Sequence, residues 1–194
     1  EIAQCLVGSE MCIRDSECAG IIVDVGKNVK QRKIGQRVAI ETHIPCGECY
    51  SCQNENAHNC NNMQIFGTSS NGCFADYTVI DEEATFVLPD KVTFKEGALL
   101  EPAGVAMRAI EESKIVPGEY VIVNGCGAIG LFTVQILAKS GAICIATDKD
   151  NFKLQIAKKF GAITINVEEE DIADRICDIL KTQGGVDVLI ETSG

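Results

Sequence analysis

Hydrophobic and polar positions follow two different rhythms in this chain. From residue 117 onward, short apolar runs alternate with stretches of helical spacing. Residues 120–123 (YVIV) form a β-branched run that stops at Asn124, and after glycines at Gly125, Gly127 and Gly130 the segment LFTVQILAKSG resumes at helical intervals. Residues 142–146 and 162–167 read as further strands, with NFKLQIAKKFGA between them as a helix; residues 168–181 read as a third helix and 186–191 as a fourth strand. Strand and helix in alternation, with short connections, predict a parallel sheet with right-handed crossovers. The first half lacks helical periodicity. There, residues 21–25 (IIVDV) and 37–41 (RVAIE) read as strands, separated by polar turns at Gly26-Lys27-Asn28 and Lys33-Ile34-Gly35. Between the halves, residues 92–113 carry Ala98, Leu99, Ala103, Met107 and Ile110 near helical spacing, and Pro102 leaves Glu101 close to a kink or a helix start.

Composition narrows the classes. A chain of 194 residues suffices for one large domain or two small ones, and with 46% hydrophobic residues and no run long enough to span a bilayer it reads as globular, without a membrane partner. A formal charge of -11 leaves no basic surplus to displace counterions, which argues against nucleic acid. Of eleven cysteines, four are clustered at metal-ligand spacing and the others are scattered, as in a reducing compartment, so a cytoplasmic location is expected.

Two motifs carry chemistry. In EYVIVNGCGAIG the first glycine makes the turn, the second lets backbone approach a pyrophosphate and the third lets helix pack on strand, with the helix N-terminus facing the phosphates. The residues assigned to this turn are Gly125, Gly127, Ala128, Ile129 and Gly130. Asp148 follows Gly130 by eighteen positions, close to the roughly twenty expected of an acid that binds a ribose. A carboxylate there accepts from both ribose hydroxyls and repels a 2′-phosphate, favouring NAD over NADP; the other reading of Asp148 is a helix N-cap. The second motif is HIPCGECYSCQNENAHNC, in which Cys46, Cys49, Cys52 and Cys60 suit a structural, tetrahedral Zn2+ with Gly47 helping the backbone wrap it. An iron–sulfur cluster is the rival, but seven residues rather than three before the fourth cysteine, and Asn61 rather than proline after it, argue against that.

Residues 5–16, CLVGSEMCIRDS, resemble the translation of a transposon-end sequencing adapter, continuous in one reading frame. Residues 1–16 are therefore expected to form an adapter-derived or unassigned arm that packs poorly, and Cys5 and Cys12 are not counted as ligands.

E-x-x-G at residues 17–20, VGKNV, G-x-R-V at 35–38, the four-cysteine lobe, GCFADY at 72–77, LEPAGVAM at 100–107 and the glycine turn occur in the order found in the zinc-dependent medium-chain alcohol dehydrogenases. The chain from Glu17 onward resembles that family, most closely its threonine- and polyol-oxidising branches. The resemblance implies an α/β fold in two parts: a partial β-rich GroES-like catalytic lobe over 17–113, with a structural-zinc lobe at 43–60, and a partial Rossmann NAD-binding domain over 114–194. It implies a small-molecule alcohol substrate, NAD and zinc as cofactors, and a homo-oligomeric parent, dimer or tetramer. Glu17 matches the glutamate of the family's G-H-E motif and Glu101 that of its E-P motif, both associated with the catalytic zinc. The histidine of G-H-E falls at position 16, which is Ser16, and the early cysteine ligand has no counterpart, so the chain is expected to be an incomplete and inactive fragment. His43 matches a histidine near the substrate, and Lys153 a position that contacts the adenine ribose. Read without the family, Glu17 is a surface strand residue, His43 a satisfied polar residue at a strand end, and Lys153 a solvated helix lysine. A non-catalytic zinc- and NAD-binding module remains the alternative from another class.

Overall fold

A computed structural model of the chain describes residues 16–181 and 184–193. The stretch compared with an adapter lies, but for Ser16, outside the described residues. Two compact units divide between Glu101 and Pro102.

The first unit runs β1 (Ala19–Ile21), β2 (Arg37–Ile40), β3 (His43–Ile44), α1 (Tyr50–Gln53), β4 (Gln64–Ile65), β5 (Thr85–Val87) and α2 (Phe94–Ala98). Strands β1, β2 and β5 make an antiparallel sheet with β2 central, and β3 pairs with β4. The expected strand at 21–25 is displaced toward the N-terminus, because its partner turns away: the ladder ends at Ile21↔Arg37, and Ile22 then exchanges backbone bonds with Gln36 and Gly35 at 2.9 and 2.8 Å. Val23 and Val25 consequently face solvent. Val38, Ala39, Phe66, Ala84 and Leu88 are buried in this unit. Arg32 braces the sheet edge by donating from Nε to Thr85 Oγ1 at 2.8 Å. A capping box starts α2, with the Thr93 hydroxyl accepting from Glu96 N and the Glu96 carboxylate accepting from Thr93 N. Cys18, just before β1, is joined by a disulfide to Cys73, 55 positions later, with Cα atoms 6.3 Å apart; nothing in the scatter of the cysteines signalled that pairing.

The second unit contains most of α3 (Leu100–Ser113), followed by β6 (Tyr120–Asn124), α4 (Ala128–Ser140), β7 (Ile143–Asp148), α5 (Asn151–Lys159), β8 (Ile163–Asn166), α6 (Ile172–Leu180) and β9 (Val188–Glu191). Pro102 falls in the first turn of α3, where a missing N–H costs no hydrogen bond. The expected domain boundary, between 113 and 114, is the far end of this helix, whose Ala109 and Ile110 pack against the second unit's core. The four strands are parallel, in the order β8-β7-β6-β9. Side chains alternate between faces as the strand period requires. Val121, Val123, Cys144 and Ala146 enter one core with Val134 and Leu137 of α4 and Leu154 and Ala157 of α5, whereas Ile122, Ile145 and Ile165 enter another with Ile176 and Ile179 of α6. Helix α6 starts later than the expected residue 168, because Asn166 takes Glu168 N in a side-chain turn at 2.9 Å and Asp171 supplies the cap. Chain order reverses between β6 and β9, and the ends of these two strands flank the glycine turn.

Helix α4 sits so close to that turn that a Cβ on Gly130 would lie 1.9 Å from the Gly125 carbonyl oxygen. Gly104, in α3, has no atom within 4 Å of the same construction. Gly130→Ala is expected to destabilise the protein by about 1–3 kcal/mol, and Gly104→Ala to stabilise it by about 0.5–1 kcal/mol. Urea-unfolding midpoints of the two variants should move in opposite directions.

Candidate functional site

The lobe between β3 and β4 is built around sulfur. Gly47 takes φ 75°, a left-handed turn that Cβ-bearing residues resist, and brings Cys46 and Cys49 to the start of α1, which carries Cys52. A single 3-10 turn at Ala57–Asn59 then returns the chain to Cys60. Neighbouring sulfurs lie 3.5 Å (Cys49–Cys52), 3.5 Å (Cys46–Cys60), 3.8 Å (Cys49–Cys60) and 4.0 Å (Cys46–Cys52) apart, and all four fall within 4.8 Å of one another. Zinc bonds of about 2.3 Å at tetrahedral angles separate sulfurs by about 3.8 Å, so the donor set fits Zn2+. Backbone N–H groups of Cys46 and Asn62 reach Cys60 Sγ at 3.3 Å each. Hydrogen bonding by backbone groups of Cys52 and Asn61 brings the Cys49 thiol down to about 6, while desolvation and the neighbouring thiols push Cys52 up to about 12. Such a ring holds several thiolates only against a cation.

Glu101, Glu17, Glu41 and His43 share a second neighbourhood of the same unit. Desolvation raises the Glu101 carboxyl above its ordinary value, the charges of Glu17 and Glu41 raise it further, and His43 opposes them. Glu41 Oε1 is 3.0 Å from both the backbone N and Nδ1 of His43, and Thr42 Oγ1 is 3.1 Å from the same ring nitrogen. Glu41 was not singled out from sequence; its place two residues before His43 on one strand end was the available signal. Among the described residues, only the four cysteines bring their ligand atoms within metal-binding reach of one another. Glu17 and Glu101 lie near enough for the charge of one to act on the other, outside that sulfur group.

The glycine turn belongs to the other unit. Gly125 has φ 94°, Gly127 caps α4, and Ala128, Ile129 and Gly130 form its first turn, whose N–H groups lack intrahelical acceptors. Asp148, at the end of β7, reaches across: its Oδ2 accepts from Cys126 N at 2.7 Å and its Oδ1 from Asp150 N at 2.8 Å, and Lys153 Nζ is 3.8 Å from Oδ2. The cap of α5 is Asp150, which accepts from Phe152 N at 2.8 Å, so the alternative role of Asp148 as N-cap falls to its neighbour. Burial raises the Asp148 pKa, but the N–H groups of Cys126 and Asp150 and the Lys153 charge outweigh it, and the net shift is downward. Burial pushes the thiols of Cys126 and Cys144 up to about 11 and about 12, which leaves both unreactive.

A lowered carboxyl contributes stability that is complete above its unfolded value of about 3.9 and is lost as pH falls through the folded one. Asp148→Asn is accordingly expected to lower the urea midpoint near neutral pH and to lower it less near pH 3. Unfolding curves of both proteins at the two pH values measure the difference.

Residues 7–90 match the alcohol dehydrogenase GroES-like domain, a match that begins inside the adapter-like stretch, and residues 128–194 match the zinc-binding dehydrogenase family. The chain is 37% identical over 185 residues to L-threonine 3-dehydrogenase of Pyrococcus abyssi (strain GE5 / Orsay), covering 94% of this chain and 52% of the relative. It is also 37% identical over 181 residues to sorbitol dehydrogenase of Bacillus subtilis (strain 168), covering 92% and 51%. The crystal structure of a zinc-binding dehydrogenase from Sinorhizobium meliloti 1021 bound to NADP superposes with a TM-score of 0.86 at 31% identity, covering 92% of this chain and 53% of that one. The chain spans about half the length of the curated relatives it matches. With the sulfur lobe, the parallel sheet and the glycine turn in the family's order, the chain belongs to the zinc-dependent medium-chain alcohol dehydrogenases.

Proposed function

We propose that this protein is an NAD-dependent and zinc-dependent alcohol dehydrogenase acting on L-threonine, which it converts to 2-amino-3-oxobutyrate, and that the chain as it stands does not turn over. The observation that carries the cofactor reading is the Asp148 carboxylate, held by Cys126 N–H across the mouth of the glycine turn. An ionised group in that position accepts from ribose hydroxyls and repels a 2′-phosphate, which supports NAD although one solved relative binds NADP. NAD, when bound, accepts the hydride released from the alcohol carbon. Gly125, Gly127 and the start of α4 admit the pyrophosphate, and Lys153 stands beside Asp148 at the ribose end.

Cys46, Cys49, Cys52 and Cys60 would hold a structural zinc, which supplies folding energy to their lobe rather than chemistry. His43, steadied by Glu41, would accept the proton of the substrate hydroxyl at its free ring nitrogen and pass it to solvent. Glu17 and Glu101 would be the two catalytic-site carboxylates. With Ser16 where the family has histidine, these donors do not complete a catalytic zinc site. The polyol reading rests on equal identity to sorbitol dehydrogenase. The reading includes a cytoplasmic location, against which the Cys18–Cys73 disulfide counts, and a homo-oligomer, dimer or tetramer.

Metal analysis of the purified chain is expected to give one zinc per chain, released when Cys49 and Cys52 are both changed to Ser. Assays of NADH formation with L-threonine and with sorbitol should show no turnover; two zincs together with measurable oxidation would refute the inactive reading. A full-length form, in which a threonine-oxidising relative supplies both the front end in place of residues 1–16, with its cysteine and histidine ligands, and the half of its length that this chain does not span, should oxidise threonine ahead of sorbitol. Activity that prefers sorbitol selects the polyol reading, and tight NADH binding without activity on either selects the non-catalytic module.

A further inference from the structure

The glycine turn is also braced from β9. Parallel register sets Asn124 of β6 beside Thr147 of β7 and beside Glu191 of β9. Asn124 Oδ1 accepts from Thr147 Oγ1 at 2.6 Å, and Asn124 Nδ2 donates to Glu191 Oε2 at 2.7 Å. The second Glu191 oxygen accepts from Ser193 N at 2.7 Å. One side-chain amide thus stitches three strand ends together immediately before Gly125, and its two ends permit a single orientation.

That bridge holds residues 192–193 against the turn. Thr192 N donates to Asn124 O at 2.8 Å, and Thr192 Oγ1 lies 2.7 Å from Gly125 O and 2.9 Å from Asn124 O. A Cβ on Gly125 would stand 2.7 Å from both N and Cα of Ser193. Movement of β9 therefore moves the wall on which the turn rests. Hydrogen bonds from Ser193 and Asn124 bring the Glu191 carboxyl down to about 2, so it is charged at any pH of interest. A negative charge near a pyrophosphate site repels the ligand, and charge alone gives no reason for a glutamate there.

We propose that Asn124 and Glu191 are positioning residues for the pyrophosphate of a bound dinucleotide, acting through the Thr192-Ser193 backbone that shapes the glycine turn. This rests on the dinucleotide-binding reading above. The charge and the positioning roles predict opposite signs. Glu191→Gln relieves repulsion, but it puts one acceptor where two donors converge. If positioning dominates, NADH and ADP-ribose bind about tenfold more weakly, the scale of one charge-assisted hydrogen bond. Adenosine, which reaches Asp148 but not the turn, should change by less than about twofold. The pair Asn124→Asp with Glu191→Gln reverses the donor and the acceptor of the bridge, keeps the net charge and leaves acceptors for Thr147 and Ser193. It should recover NADH affinity to within about threefold of the parent.

The test is a fluorescence titration of the full chain with NADH, and displacement by ADP-ribose and adenosine, on the parent, both single variants, the double variant and Asp148→Ala. Thr147→Val, which removes the hydroxyl from the other end of the bridge, serves if Glu191→Gln does not fold, and the same ligand pattern is expected of it. Unchanged or tighter NADH binding by the single variants overturns the proposal, and so does loss of adenosine in parallel with NADH or a double variant no better than the singles. Should the parent bind none of the three ligands, the dinucleotide reading fails and takes this inference with it. Loss of binding in Asp148→Ala alone leaves that reading standing and refutes the bridge.

Discussion

Parallel register is the constraint on which the dinucleotide half depends. Because β7, β6 and β9 run the same way and pair without offset, their C-terminal residues arrive at one level, and the polar groups there must satisfy one another. Among the described residues no buried side-chain nitrogen or oxygen lacks a partner. Asp148 turns its carboxylate toward the Cys126 amide, Asn124 spans its two neighbours, and helix α4 closes on the turn to a distance that excludes even a methyl group at Gly130. The turn has its shape before any ligand arrives, which is the condition for binding without a large ordering cost.

Much of this half was legible from periodicity. Largely apolar runs of four to six residues between helical stretches mark buried parallel strands, and each of β6 to β9 lies within or overlaps its expected segment. The antiparallel half was less legible, because its strands are two to four residues long and a ladder that short leaves no alternation to read. IIVDV has strand-like residues, yet pairing stops at Ile21 because the opposite chain turns at Gly35 and Gln36, a fact about a partner and not about the segment. Thr85–Val87 is illegible for the same reason, being three residues placed by pairing with β2.

At the sites, local spacing carried far and long-range pairing not at all. Four cysteines within fifteen residues announce a metal because ligand spacing is itself the geometry, and their sulfurs do converge. The glycines and Asp148 are likewise a local pattern. Glu191 and Asn124 are 67 positions apart, and nothing at either position says that the other will be adjacent. The cap of α5 shows how fine the limit is: Asp148 and Asp150 are both plausible by residue type, and the backbone at the end of β7 decides which of them faces the helix.

The sulfur lobe obeys another rule. Helix α1 is four residues long and buries none of them, and the adjoining 3-10 turn buries none either. Such a segment has no apolar interior to offset the entropy of ordering its backbone, so an ion bound by the four sulfurs would supply what packing elsewhere provides. For a ribosome releasing this polypeptide, maturation would then hinge on trace-element supply: under zinc starvation the sheets could form while the lobe stayed an open polar strap, a place for a protease to cut.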